Sequence, residues 1–297
     1  MKPIIYGGVA ARYTGVKAVV NAMTGRGYLF LKNSLREAVV RRLVIEGLRF
    51  AFAHKNQMAI FQNHDDQAFC VDLGLCRPGQ CVVIKGAGVD LAAYFPSPEP
   101  AALPLVVLAS RMLWDKGVGV FVAAATQLRS RGVAARFALC GGTDDGNPTA
   151  IPLAQLRQWN HSGVVEWWGF MPDMQSVFSR AHIVCLPSFA EGMPRVLLEA
   201  AAAGRPIVTS DAPGCREIVR HGENGFLVPV KDSAALAGAL QRLIEDGELR
   251  RAFGARGRLI AETEFSQEQV VAETLTVYRA LLSLSTPASA SPAHGLR

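Results

Sequence analysis

The sequence from residue 104 onward alternates short apolar runs with segments of helical period, and this alternation constrains the fold more than any other feature. Buried strands are predicted at LPLVVLAS, ARFALCGG, VVEWWG, HIVCLPS, RPIVTS and GFLVPV. Segments with apolar residues at helical spacing lie between them, beginning with GVGVFVAAATQLRSRG. This order of elements predicts parallel strands joined by helices in a doubly wound α/β sheet.

Helices are also predicted after the last of these strands. Two of them cover residues 233–246 and 248–264, and the amphipathic segment SQEQVVAETLTVYRALLSL follows. The composition of residues 284–297 is typical of a disordered tail.

The first hundred residues have an α/β pattern of their own. Strands are predicted at KAVVNAMT, QMAIFQN and QCVVIKG, and helices at residues 34–53 and 64–73. The segment FPSPEPAALP carries four prolines in ten residues, which is typical of a linker. We therefore predict an N-terminal domain at residues 1–100 and a C-terminal domain at residues 101–283.

Composition excludes several classes of protein. Half of the 297 residues are apolar, which is enough for a sizeable core. No apolar run approaches the ~20 residues of a membrane span, and the N-terminus lacks a signal-peptide core, so a cytoplasmic location is predicted. The six cysteines form no CxxC pair, and Cys140 and Cys185 end apolar strands, as reduced buried thiols do.

The positive charge is concentrated at the start of the chain. Residues 1–100 hold 12 Lys and Arg against 7 Asp and Glu, a net charge of +5 out of the +6 of the whole chain. An anionic partner is therefore expected to meet this part of the molecule. No feature indicates a nucleic acid as that partner.

Two basic residues follow the first strand of the C-terminal part. Arg111 and Lys116 flank a short loop at the carboxyl end of LPLVVLAS, the edge where open α/β sheets bind ligands. A guanidinium fork and an ammonium point charge suit a diphosphate. The alternative is two solvated basic residues in a loop.

The stretch SFAEGMPRVLLEAAAAGRPIV places two acids at the same sheet edge. Glu191 lies in a loop and Glu199 lies inside the following helix, for which Pro194 suits the first position. The backbone N–H groups of Gly192 and Met193 at the helix start can bind an anion. Beside such a site, carboxylates can accept hydrogen bonds from sugar hydroxyls. The alternative is a helix-dipole acid and a solvated acid.

Other motifs give weaker indications. The chain contains no GxGxxG, which disfavours a nicotinamide-dependent oxidoreductase. The acid pairs at residues 65–66 and 144–145 lack the DxD spacing of metal-bridged nucleotide sugars, and no metal site is predicted. His182 opens a buried strand and is interpreted as structural.

Taken together, SRMLWDKGV, the glutamate pair in EGMPRVLLEAAAAGRPIV, APGCREIV and NGFLVP resemble the retaining GT-B glycosyltransferases of family 4. GRGYLF, IFQNHDD and GAGVDL are similar to the bacterial branch that builds capsule, the O-antigen of lipopolysaccharide or lipid-linked oligosaccharides. The resemblance runs from about residue 2 to 284. It implies two Rossmann-like domains and an enzyme that moves a sugar, predicted to be a hexosamine, from a UDP-sugar to a polyprenyl-diphosphate-linked saccharide with retention of configuration.

The resemblance also implies roles for individual residues, and it implies that the enzyme uses neither a divalent metal nor another cofactor. Arg111 and Lys116 would grip the donor diphosphate and stabilise it as the leaving group, and Gly192 and Met193 would offer it backbone amides. Glu191 would hold hydroxyls of the donor sugar and Glu199 those of the ribose. Phe170 and Met171 would lie near the base.

The family pattern further implies an N-terminal half of roughly 150–200 residues that opens with a strand and a Gly-rich loop. The present chain is expected to begin within that half, and Arg26 stands where an apolar residue is expected. The alternative function is therefore a remnant that binds a nucleotide sugar or a partner without transfer.

The predicted helix within residues 34–55 interleaves basic and apolar side chains. The basic residues are Arg36, Arg41, Arg42, Arg49 and Lys55. Such a helix can lie on an anionic membrane, here the inner face of the plasma membrane. An ordinary half-buried helix is the alternative.

Overall fold

Parallel strands run through both units into which the chain divides. The computed structural model describes residues 1–25 and 35–284. The first unit contains Met1–Ile84 and the chain from Val271, and the second contains Lys85–Val270. The predicted tail from residue 285, Arg26 and the rest of GRGYLF after Gly25 lie outside the described residues, as does the side chain of Arg36.

The first unit is built on a small parallel sheet in the order β1-β2-β3. Its elements are α1 (Lys2–Thr14), β1 (Val19–Met23), α2 (Leu35–Phe52), β2 (Gln57–Phe61), α3 (His64–Asp72) and β3 (Cys81–Val83). The three predicted strands and the two predicted helices are confirmed. Its core contains Met23, Leu48, Phe52, Phe61 and Cys70, which are buried side chains of successive elements.

Helix α1 was not predicted from the sequence. The adjacent Gly7 and Gly8 lower helix propensity by about 1 kcal/mol each relative to alanine. In the structure Gly8 lies against α2, where a Cβ would fall 2.4 Å from the Cβ of Ala51. Gly8 is therefore required because α1 and α2 approach each other closely at this position. Local helix propensity does not reveal such a contact.

The second unit is a doubly wound sheet of parallel strands, as predicted. Its strands are β4 (Leu105–Ala109), β5 (Arg136–Cys140), β6 (Glu166–Gly169), β7 (Ile183–Leu186), β8 (Ile207–Ser210) and β9 (Gly225–Val228). Its helices are α4 (Val118–Ser130), α5 (Leu153–His161), α6 (Met174–Arg180), α7 (Arg195–Ala202), α8 (Cys215–Ile218), α9 (Ser233–Glu245) and α10 (Gly247–Glu264). The last helix, α11 (Gln267–Leu284), begins in the second unit and belongs to the first unit from Val271 onward.

The strand order β6-β5-β4-β7-β8-β9 determines where a ligand can bind. The chain begins at the centre with β4, winds outward to β6, and then returns to pair β7 with β4. In such sheets the loops after the two central strands diverge and leave a crevice at their carboxyl ends. The loops that follow β4 and β7 therefore meet at the switch point of this sheet.

The proline-rich segment at residues 95–104 packs within the second unit. Arg205, buried in the interior, donates to the carbonyl of Phe178 and to both the carbonyl and hydroxyl of Ser97. Arg250 forms a two-bond ion pair with Glu99. The division between units consequently falls after Ile84, before the segment that composition marks as a linker.

Candidate functional site

The loops after β4 and β7 are in direct contact at the switch point. Gly117, at the start of α4, has φ 74°, and a Cβ there would lie 1.9 Å from the carbonyl oxygen of Pro187. The backbone N–H of Phe189 and the hydroxyl of Ser188 both donate to the carbonyl of Asp115, at 2.9 and 3.2 Å. The two loops therefore form one continuous surface at the carboxyl edge of the sheet.

Lys116 and Glu191 are paired across this contact. The Nζ of Lys116 lies 2.6 Å from the Oε1 of Glu191, and the two side chains are only 18% and 12% exposed. Water screens such a pair less than it screens an exposed pair. The structure thus places one of the two predicted cations beside the predicted sugar-binding carboxylate.

Arg111, the other predicted cation, is paired with a different acid. Its Nη1 lies 2.6 Å from the Oδ2 of Asp144, in the loop after β5. The Arg111 side chain is 61% exposed and that of Asp144 is 32% exposed. Arg111 therefore lies at the rim of the surface, while Lys116 lies deeper.

Gly192 and Met193 precede helix α7, as predicted. The helix begins at Arg195, with Pro194 as its N-cap, so the prediction that Pro194 is the first helical residue was wrong by one position. Proline fits this position because its φ of −74° leads into the helix while its ψ of 110° remains extended. Both predicted residues are buried at the positive end of the helix dipole.

The loop that contains Gly192 is fixed by the turn before α8. Gly214 has φ 78°, and a Cβ at this position would lie 2.3 Å from the carbonyl oxygen of Gly192 and 2.8 Å from that of Glu191. The backbone N–H of Glu191 donates to the carbonyl of Pro213 at 3.3 Å. The motif APGCREIV therefore packs its glycine against the loop that carries Glu191.

Glu199 lies in α7 and is 8% exposed. Burial raises the pKa of its carboxyl, while the charge of Arg195 and a hydrogen bond donated by Tyr94 act in the opposite direction. The Nη2 of Arg195 lies 3.3 Å from the Oε1 of Glu199. Burial, together with the nearby Glu199 carboxylate, raises the pKa of Tyr94 to about 12. Glu199 is thus a buried acceptor with partners on two sides.

Phe170 and Met171 follow β6, two strands away from β4. The Phe170 side chain is 77% exposed, and its Cβ lies 3.9 Å from where a Cβ of Gly142 would stand. Met171 is partly buried against the core beneath β4 and β5. Both residues lie at the carboxyl edge of the sheet, beside the glycines that follow β5. Lys116 follows β4, which is two strands away from β6 in the sheet.

Residues that the sequence did not single out for this surface also contribute to it. Asp144 was noted only as half of an acid pair, and its position after a strand that ends in Gly-Gly was the available signal. Asp115 and Tyr94 carried no signal, because their partners are distant in the chain. Lys231, which has a φ of 66°, also reaches this surface, because its Nζ lies 4.9 Å from the centre of the Phe189 ring in the loop after β7.

The chemistry available at this surface is the binding of an anion and of hydroxyl groups. Two cations and a helix N-terminus can neutralise a diphosphate, and the two glutamates can accept hydrogen bonds from hydroxyls. Within the described ranges, no three His, Cys, Asp or Glu side chains are grouped as ligands for a metal ion. None of the described helices has the length and hydropathy needed to cross a membrane.

Comparisons with known proteins relate the second unit to glycosyltransferases. Residues 103–246 match the family model for group 1 glycosyl transferases. The chain is 32% identical over 260 residues to the Campylobacter jejuni N,N'-diacetylbacillosaminyl-diphospho-undecaprenol alpha-1,3-N-acetylgalactosaminyltransferase, covering 82% of this chain and 66% of the relative. It is 31% identical over 216 residues to a putative colanic acid biosynthesis glycosyltransferase of Escherichia coli, covering 69% and 52%. The chain thus spans about half to two thirds of the length of these relatives.

Solved structures share the fold over nearly the whole chain. Sucrose-phosphate synthase from Thermosynechococcus elongatus superimposes with a TM-score of 0.81 at 23% identity, covering 94% of this chain and 72% of that one. The Anabaena protein HepE, in complex with UDP and glucose, gives a TM-score of 0.75 at 24% identity, covering 93% and 75%. These similarities confirm the predicted α/β architecture of the GT-B type with Rossmann-like domains.

Proposed function

The chain belongs, through residues 103–246, to the group 1 glycosyl transferases, and on this basis we propose that it transfers a sugar from a nucleotide sugar to a lipid-linked saccharide in polysaccharide biosynthesis. The finer proposal is a UDP-hexosamine donor, a polyprenyl-diphosphate-linked acceptor and retention of configuration. The names of two relatives support the substrate classes, since one describes N-acetylgalactosaminyl transfer to a diphospho-undecaprenol acceptor and the other colanic acid biosynthesis. The UDP bound to HepE, a structural neighbour, supports the proposal that the donor is a UDP-sugar.

The pairing of Lys116 with Glu191 is the observation that carries this proposal. A nucleotide sugar presents a dianionic diphosphate directly beside sugar hydroxyls, so its site requires a cation and a hydrogen-bond acceptor a few ångströms apart. The switch point of the second unit brings these two groups together from loops 75 residues apart in sequence. The positive end of α7 adds to the attraction for the diphosphate.

The proposed roles follow from the depth of each residue. Lys116 and the backbone of Gly192 and Met193 bind the diphosphate and stabilise it as it leaves, and Arg111 contacts it from the rim. Glu191 accepts hydrogen bonds from the donor sugar. The buried Glu199 accepts those of the ribose, and Phe170 with Met171 contacts the base.

Charge neutralisation by protein groups is proposed to replace a divalent metal. Two cations and a helix N-terminus carry enough positive charge to balance a diphosphate. Turnover should therefore continue in the presence of EDTA. Loss of turnover in EDTA, restored by Mg²⁺ or Mn²⁺, would refute this part of the proposal.

A peripheral contact with the inner face of the plasma membrane is proposed for residues 34–55. Helix α2 exposes Val39, Val40 and Leu43 beside the exposed Arg42 and Arg49. Basic side chains near an anionic bilayer contribute about 1 kcal/mol each. Arg42→Gln should reduce sedimentation with phosphatidylglycerol vesicles, and the exposed Arg131→Gln in the second unit should not. Equal losses in both variants would speak against a specific surface.

Calorimetry with UDP tests the site. Lys116→Ala should weaken UDP binding roughly 10- to 100-fold, as expected for a buried charge-assisted contact, and Arg111→Ala should weaken it less. Arg131→Gln serves as the control for an exposed cation elsewhere. Undiminished binding in Lys116→Ala would remove the basis of the proposal.

A donor screen tests the reaction. Several UDP- and GDP-sugars are incubated with the protein, membranes and a polyprenyl-diphosphate-linked saccharide, and both binding and product are measured. UDP-hexosamines should give the highest turnover, with the anomeric configuration of the donor kept in the product. UDP binding without product from any donor would favour the alternative, a protein that binds nucleotide without transfer.

A further inference from the structure

The loop after β5 is bound tightly to the loop that carries the proposed diphosphate cations. The backbone N–H of Trp114 donates to the carbonyl of Thr149 at 2.8 Å, and the N–H of Met112 donates to that of Gly142 at 3.1 Å. The hydroxyl of Thr149 donates to the carboxylate of Asp115 at 2.9 Å. The loop at residues 143–150 is therefore held against the site by several bonds.

Asp144 is positioned by this loop to face Arg111. Its own carbonyl accepts the backbone N–H of Asn147 at 2.8 Å, which closes a turn, and the Asn147 side-chain amide lies 3.5 Å from its Oδ2. The same Oδ2 lies 2.6 Å from the Nη1 of Arg111. The next residue, Asp145, is exposed.

Each proposed diphosphate cation thus has a carboxylate partner from another loop. Lys116 is paired with Glu191, which has a proposed role of its own in binding the sugar. Asp144, in contrast, has no proposed contact with the ligand. Its carboxylate would repel a diphosphate, so its position requires another explanation.

The geometry points to Asp144 as an internal competitor of the nucleotide diphosphate for Arg111. This inference rests on the proposed function. An incoming diphosphate displaces the Asp144 carboxylate from the guanidinium, and Asp144 takes the guanidinium back when UDP leaves. Asp144 thereby lowers the affinity for UDP and speeds the release of this product, without contacting the ligand.

The size of the effect follows from the exposure of the pair. Exposed ion pairs contribute little because water screens them, and breaking one changes an equilibrium by roughly two- to fivefold. The competition should weaken further as salt is added. The effect is thus small enough to leave the site functional and large enough for calorimetry to measure.

The test compares Asp144→Asn with the neighbouring Asp145→Asn in UDP titrations at low ionic strength. Both changes remove one negative charge from the same loop, and only the first removes the partner of Arg111. Asp144→Asn should bind UDP roughly two- to fivefold tighter than the wild-type protein, with UDP dissociating more slowly, whereas Asp145→Asn should change affinity by much less. Unfolding temperatures of both variants verify that the fold is kept.

Two further titrations distinguish competition from a structural effect. Uridine, which has no phosphate, should bind both variants and the wild-type protein equally. In an Arg111→Ala background, the additional change Asp144→Asn should tighten UDP binding no more than Asp145→Asn does, because the competition requires the guanidinium and only the general repulsion of a nearby carboxylate remains.

The outcomes separate this inference from the proposed function. If the wild-type protein binds no UDP, the proposed function fails and the role of Asp144 fails with it. If the wild-type protein binds UDP and Arg111→Ala weakens that binding, the proposed site holds. The role of Asp144 is then overturned by unchanged or weaker binding in Asp144→Asn, by equal tightening in Asp145→Asn, or by tightening of the same size without Arg111.

Discussion

Lys116 donates a 2.6 Å hydrogen bond to Glu191, and both side chains are largely withdrawn from solvent. The cation proposed for the diphosphate and the acid proposed for the sugar therefore neutralise each other before any ligand binds. A donor must enter between two charges that are already paired, so it exchanges one set of electrostatic contacts for another. The exchange favours a ligand that carries both a diphosphate and hydroxyl groups.

Glu191→Gln should separate transfer from nucleotide binding. The change releases Lys116 from its partner, so UDP binding is expected to be unchanged or somewhat tighter. Turnover of the UDP-sugar should fall roughly 10- to 100-fold, because a charged acceptor of sugar hydroxyls is lost. Calorimetry with UDP and a turnover assay measure the two effects. A large loss of UDP affinity with normal turnover would reverse the assigned role.

Glu199→Gln should weaken UDP binding through the ribose alone. Loss of the charged acceptor is expected to cost roughly tenfold or more in UDP affinity. With an analogue that lacks both ribose hydroxyls, the variant and the wild-type protein should bind equally. An identical loss with UDP and with this analogue would indicate that Glu199 acts on the packing of α7 instead.

UDP affinity should fall as pH decreases toward the raised pKa of Glu199. Burial shifts this pKa above its ordinary value of 4.5, so the carboxylate is protonated at a higher pH than an exposed glutamate. The same shift means that any stability the group contributes is present below pH 4.5 and is lost as pH rises through the folded-state pKa. In UDP titrations over a pH series, Glu199→Gln should remove this fall of UDP affinity at low pH. A pH profile that is the same in the variant and the wild-type protein would contradict the prediction.

Gly117→Ala should destabilise the second unit and weaken UDP binding together. A side chain at a φ of 74° costs about 1–2 kcal/mol, and the clash with the Pro187 carbonyl adds to this cost. Gly132 provides the control, since its φ is 75° and no atom lies within 4 Å of a Cβ there. Chemical denaturation should therefore show a loss of about 1–2 kcal/mol for Gly132→Ala, with normal UDP affinity. Equal losses in both variants would remove the argument for a close contact between the loops.

Glu99→Gln should lower the free energy of unfolding by about 3 kcal/mol, because it leaves the nearly buried Arg250 without its charged partner. Glu46→Gln, which breaks the exposed pair with Arg49, should cost less than about 1 kcal/mol. Urea denaturation of the two variants makes the comparison. Similar small losses would show that the proline-rich segment is not held by this ion pair.

The sequence by itself determined most of the helices and strands, and it determined the edge of the sheet at which the candidate site lies. Apolar runs and helical spacing are local patterns, so the strands at residues 105–109 and 183–186 and the helices after them could be predicted. Arg111, Lys116 and Glu191 could be placed at the carboxyl ends of their strands for the same reason.

Only the tertiary structure decided which of these residues meet. The strand order makes β7 and β5 the two neighbours of β4. The pairing of β4 with β7 brings Glu191 to Lys116 from 75 residues away, and the pairing of β4 with β5 brings Asp144 to Arg111 from 33 residues away. Helix α1 likewise depends on the fit of Gly8 against Ala51. Contacts of this kind arise when the chain closes long loops and buries particular faces together, and no periodicity in the sequence encodes them.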